Sequence, residues 1–188
     1  MIAIKGFNAN LSCTMGQGTY HYEIGKTYTE EVAKCGGAGF HAVEEPIDVL
    51  NWYSGSGSRH CIVDASGDIH EVGDGRIACT QITIIKEISL VQLGMLECRW
   101  LQTHPARQYS NRVHRDKGDT SAENDIIIVR GKHPKAAGGM NTVLFLCREA
   151  KKGREIEEIA VYQIDGKTYL PDVYYRTDGR AAECVKMC

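Results

Sequence analysis

Cysteine and histidine are the side chains here best suited to chemistry, and four of them fall in the first fifty positions: Cys13, His21, Cys35 and His41. Thiolate and imidazole together can hold zinc. Zinc sites legible in sequence usually take paired ligands from one element, C-x-x-C or H-x-x-x-H, and no such pair occurs in this stretch. The second chemistry is nucleophilic. Cys35 and His41 flank Gly36, Gly37, Ala38 and Gly39, and a thiol with a nearby base is what covalent catalysis needs. One such pair in a chain with seven histidines does not identify an enzyme. The glycine loop is not a P-loop, because no Gly-Lys-Ser/Thr follows, and it is not a dinucleotide fingerprint. It reads as a permissive connection, with an anion-binding nest as the alternative. No catalytic set, metal or cofactor is therefore assigned.

A second group of residues suits recognition. Tyr20, Tyr22, Trp52 and Tyr53 offer aromatic faces, and Lys5, His41 and Arg59 offer polar and positive groups. These seven are the expected ligand- or partner-binding residues. The competing expectation for the tyrosines is packing, since aromatics at alternating strand positions are more often buried.

The elements that must place them follow from periodicity. Ile2, Ile4 and Phe7 suit an opening strand. Thr19 to Ile24, Gly25-Lys26 and Thr27 to Thr29 read as a hairpin. Pro46, after Glu44 and Glu45, suits the first turn of a helix carrying Ile47, Leu50, Trp52 and Tyr53. His60 to Ala65 and Thr80 to Ile88 read as strands, the first turning at Ser66-Gly67-Asp68. Ser89 with Gln92 resembles a capping box, and the helix behind it puts Leu93, Leu96, Trp100 and Leu101 on one face. Residues 103–124 are polar and basic, as in a linker or mobile loop. Ile126 to Val129 and Thr142 to Cys147 are apolar runs of the kind buried strands carry. Asp165-Gly166 and Asp178-Gly179 mark turns. The expected fold is α+β: a mostly antiparallel sheet with one or two helices and a C-terminal β meander. The expected division is an N-terminal domain over 1–102, a linker over 103–124 and a β-rich region over 125–188, packed on the first.

The totals bound the partners. A chain of 188 residues can bury a real core, and 43% hydrophobic with 24% charged content is ordinary for a globular protein. A net charge of -2 argues against a dedicated nucleic-acid binder. No apolar run approaches a membrane span, and Met1 to Gly6 lacks the layout of a signal peptide. A cytoplasmic location is expected, with the eight cysteines as reduced thiols.

Ala3 to Asn8, Leu11-Ser12-Cys13, Gly25 to Tyr28, Cys35, Gly39-Phe40-His41, Pro46 and Asp48-Val49-Leu50 together resemble an uncharacterised domain family of bacteria, phages and prophages. Lys135 to Gly139, Val161 to Lys167 and Pro171 to Tyr175 extend the likeness. Members of that family often carry small-residue repeats of β-roll appearance in the middle, where this chain has only Thr103 to Asn124. The resemblance implies a phage-type accessory protein that acts by binding, inhibiting a bacterial defence system by capturing a host protein or a nucleotide-type small molecule. A fainter likeness is to small ADP-ribosyltransferase-like domains. There Lys5-Gly6 would replace the usual His-Gly or Arg-Gly, with His41 or Tyr53 in the middle position and Asp68 or Glu71 as the acid; that likeness implies NAD chemistry. A non-catalytic structural accessory domain is the third expectation.

Overall fold

The computed structural model describes residues 1–14, 18–54, 57–106 and 110–184. The chain divides into two compact units, Met1–Ser89 and Leu90–Cys188.

The first unit holds β1 (Ile2–Phe7), β2 (Ser12–Cys13), β3 (Tyr20–His21), β4 (Thr27–Thr29), β5 (Phe40–Val43), a 3-10 helix (Pro46–Asn51), β6 (Arg59–Glu71) and β7 (Arg76–Ile88). β6 and β7 form a long antiparallel hairpin. β1 adds to the other edge of β6, from Ile2↔Asp64 to Phe7↔Arg59. β5 adds to the other edge of β7, from Phe40↔Cys79 to Val43↔Arg76. Ile4 then pairs Val43 across β1 and β5, closing the four strands into a ring. β4 extends the sheet on β7. Strand side chains alternate between faces. Ala3 and Phe7 of β1 thus meet Cys61, Val63, Ala65, Ile77, Cys79, Ile82 and Ile84 in one core. Lys5, between them in the same phase, shares the inward face.

Ser66 to Asp68, expected as a turn, lies inside β6 as an irregularity in its pairing with β7. A bulge of this kind bends a strand and helps a sheet curl. Gly67 has φ +71°, and a Cβ there would run into Thr80 Oγ1. The expected hairpin of residues 19–29 is also arranged differently. β3 pairs β2, and β4 pairs β7.

The second unit holds α1 (Leu90–Thr103), β8 (Val113–Thr120), β9 (Ile126–Gly138), β10 (Val143–Glu149), β11 (Ile156–Gln163), β12 (Val173–Arg176) and β13 (Ala181–Cys184). β8, β9 and β10 pair in parallel, with Val113 beside Ile128 and Ile126 beside Val143. Parallel neighbours normally need a long crossover. These connections are short, so the strands themselves bend and the chain winds in stacked coils, as β-helices do. The corners carry the winding. Asn124 and Asn141 both have positive φ, 56° and 61°, and Asn141 Nδ2 donates to Asn124 Oδ1 at 3.1 Å, one corner above the next. Asp116, at φ 59°, accepts from the Lys132 N–H at 3.0 Å beside Gly131, whose missing Cβ leaves room for that carboxylate. β11 and β12 add antiparallel to β10 and β9, and β13 closes on β12. α1 packs on β10: Gly94 sits under the Phe145 ring, and Cys98 Sγ lies 3.6 Å from Cys147 Sγ.

The α+β expectation is overturned. The fold is mostly β, 51% strand against 11% helix, spread over several sheets rather than one mostly antiparallel sheet. The helix after Pro46 is a short 3-10 segment, and α1 belongs to the second unit, so the division falls at 89/90. Within residues 103–124 the chain forms β8, whose burial is confined to Val113 and Gly118. Such a strand leaves almost no hydrophobic period to read.

Candidate functional site

The β1–β5 pairing ends at Ile4↔Val43. Past that point the Lys5 side chain bridges the two strands, its Nζ donating to the His41 carbonyl at 2.7 Å. A cavity of ≈ 910 Å³ takes in these strand ends. Its walls include Lys5 and Gly6 from β1, Phe40 and His41 from β5, Tyr20 of β3 and Tyr22 just after it, and Trp52 and Tyr53 after the 3-10 helix. Six of the seven expected residues therefore come together: Lys5, Tyr20, Tyr22, His41, Trp52 and Tyr53. Arg59 does not join them. It makes a two-pronged ion pair with Glu87, at 2.7 and 2.6 Å, and donates to the Ala9 carbonyl at 3.3 Å.

The aromatic wall is a cluster. Tyr22 meets Phe7 edge-on at 5.1 Å between ring centres, and Tyr20 lies 4.9 Å from Tyr22. Both packing and recognition draw on it: Tyr22 is buried, while Tyr20 and Trp52 keep 38% and 39% of their surface exposed.

Lys5 is the electrostatic centre. It is only 7% exposed, and its Nζ lies 5.6 Å from the Phe7 ring centre and 5.5 Å from that of Tyr22. Burial holds its titration below that of an ordinary lysine, partly offset by the thiols of Cys13 and Cys79. Among the described residues no carboxylate pairs with it. Cys13 donates to the Gly6 carbonyl at 3.5 Å and lies beside both Lys5 and Tyr53. The Tyr53 ring lies on Gly6, where an added Cβ would sit 2.5 Å from Tyr53 Cδ2. Its hydroxyl is buried, makes no hydrogen bond of ordinary geometry, and is pushed up in pKa by burial and then by Cys13.

His41 is held neutral. The Gly36 N–H donates to its Nε2 at 3.0 Å, which places the ring proton on Nδ1. Burial, and then the Lys5 charge, lower its pKa. The Gly37 and Ala38 N–H groups both donate to the Lys34 carbonyl, at 2.9 and 3.0 Å, so the loop spends these donors on itself rather than on an anion nest.

The Cys35–His41 nucleophile pair is not assembled. Cys35 Sγ donates to the His70 carbonyl at 3.0 Å, its N–H donates to His70 Nδ1 at 3.2 Å, and burial pushes the thiol up. A raised thiol is a poor nucleophile. Among the described residues no group of three or more His, Cys, Asp or Glu side chains is arranged to hold a metal ion. The described cysteines are free thiols, and Cys188 lies outside the described residues. Among the described residues no helix is long and apolar enough to cross a membrane.

Sequence reasoning passed over Glu30 and Arg76 as wall residues; Arg76 is held by Asp74 at 2.6 Å. Asp68 and Glu71, the acids that a transferase would use, do not line the cavity. The place of Cys13 beside Lys5 had a faint signal: residues 3, 5 and 7 share one strand phase, so the lysine had to point where the core does.

No curated protein and no solved structure matches the chain. A family model does match, that of Domain of unknown function (DUF7666), over residues 1–96; this span contains every wall residue of the cavity, and the chain belongs to that family.

Proposed function

We propose that the first unit is a capture domain for a small, planar, nucleotide-type molecule. The observation that carries this reading is the cavity of ≈ 910 Å³, walled by Tyr20, Tyr22, Trp52 and Tyr53 around a buried amine. Its volume falls within the range of small-molecule pockets, roughly 300–1,000 Å³, and apolar walls with a few fixed polar groups are their usual make-up. Aromatic faces stack on any heterocyclic base. A concave site of this size favours the small-molecule partner over a protein effector, which would need a broad exposed patch. In a phage-type accessory protein, capture of this kind withholds a nucleotide signal from a bacterial defence system; the family likeness is the support for that wider role.

The test is native mass spectrometry of the protein recovered from a bacterial lysate, with thermal shifts against a panel of nucleosides and nucleotides. A stoichiometric small-molecule mass, lost in Tyr20→Ala/Trp52→Ala, is the expected result. A bare chain together with no thermal shift across the panel overturns the reading.

A further inference from the structure

We propose that Lys5 is a covalent anchor, its amine capturing a carbonyl carbon of the cavity's ligand as an imine. The proposal rests on the small-molecule reading of the cavity and narrows the ligand to one bearing an aldehyde or ketone. On a nucleotide-type ligand that carbon is the anomeric carbon of a free reducing sugar.

Three features of the wall support it. Lys5 reaches the cavity from the inward face of β1, with its Nζ bonded to a neutral carbonyl, His41 O, rather than to a carboxylate. An amine with no carboxylate partner among the described residues, buried beside the Phe7 and Tyr22 rings, is desolvated, and desolvation is how proteins turn lysine into a nucleophile. The second feature is a proton source. The Cys13 thiol lies beside the amine and donates to the Gly6 carbonyl at 3.5 Å, with the buried Tyr53 hydroxyl next to it. The third is the Gly6 backbone, bare of a side chain, which lets the Tyr53 ring sit against the strand one residue from the amine.

The step balances without a redox partner. The neutral amine adds to the carbonyl carbon, a proton passes from nitrogen to oxygen, and a carbinolamine forms. Protonation of its oxygen, with the Cys13 thiol beside the amine as donor, lets water leave with the former carbonyl oxygen. Loss of the second amine proton completes the imine, and hydrolysis reverses the sequence.

The full chain is incubated at neutral pH with 2-naphthaldehyde, a planar probe carrying one carbonyl, and sodium cyanoborohydride, which fixes any imine. Intact mass counts the adducts, peptide mapping places them, and naphthalene-2-methanol serves as competitor without a carbonyl. Binding of both probes is read separately through tryptophan fluorescence. The expected result is labelling of Lys5 ahead of every other lysine by about tenfold for each pH unit by which its titration is lowered. Excess naphthalene-2-methanol slows it, and Lys5→Met binds naphthalene-2-methanol but forms no adduct in the cavity. Binding of both probes with labelling spread evenly over surface amines overturns the anchor and leaves the capture reading standing. Binding of naphthalene-2-methanol without binding or labelling by the aldehyde overturns the anchor; failure of both probes overturns it as well, and the capture reading is then decided by the nucleotide panel.

Discussion

The two units bury cations in opposite ways. In the second, Arg130 is 1% exposed, and its Nε donates to Glu149 Oε1 at 2.8 Å while an Nη donates to the Arg154 carbonyl at 2.7 Å. In the first, Lys5 has a carbonyl and two rings. Burying a charge is costly unless it is paired and hydrogen-bonded. The arginine is thus matched at a fully buried position of β9. The lysine has no carboxylate partner among the described residues and sits at the wall of a cavity at the ring's strand ends. A matched buried charge reads as architecture, and an unmatched one beside a cavity reads as a site.

The largest expected effect comes from breaking the matched pair. Arg130→Met strands Glu149 in the core, and a loss of about 3–5 kcal/mol follows for a broken buried pair. Denaturant unfolding measures it, and the double variant Arg130→Met/Glu149→Met recovers most of the loss. Lys5→Met is the contrasting case. No charged partner is stranded and the volume is nearly kept, so the cost stays under about 1.5 kcal/mol while ligand capture is altered. A loss comparable to that of Arg130→Met breaks the comparison.

Close approaches of backbone and ring come next. Gly94→Ala drives a methyl into the Phe145 ring, and overpacking costs about 1–3 kcal/mol in the second unit. Gly6→Ala does the same to Tyr53 in the first unit. Its signature is a changed affinity of the cavity beyond any change in melting temperature.

The smallest effect is in pH. Burial lowers the pKa values of both His41 and His60, so the folded first unit prefers them neutral. Their contribution is complete above the ordinary histidine value of about 6.5 and is lost as pH falls from there toward the lowered folded values. Lys5, lowered as well, makes stability rise with pH up to the ordinary lysine value of 10.5. Thermal melts from pH 7 to 5, with His41→Gln and His60→Gln as controls, check the acid limb. A flat profile rejects it.

Much of the cavity wall was legible. Aromatic residues at alternate positions and the lysine on the core phase of β1 marked the stretch that lines the cavity, because strand phase is visible in sequence. Arg59 could not be excluded without its partner Glu87, which lies across a hairpin. The fold was less legible. An antiparallel ring and an antiparallel open sheet share one alternation pattern, and the closing pair Ile4↔Val43 carries no signature. β8 was hidden because most of its side chains face solvent. The winding of β8, β9 and β10 depends on asparagine and aspartate corners, residues that sequence reading assigns to any loop.

The stacked corners of Asn124 and Asn141 also govern how this protein can change length. These two corners share one positive-φ conformation, and the amide of one donates to the amide oxygen of the other, one turn of about 17 residues apart. A duplication of one whole turn, about 17 residues, would enter in phase, as repeat architectures allow. An insertion of half that length would put the corner amide on the wrong side and flip the inward set outward. Growth of the second unit is thereby quantised, with the corner as its unit mark.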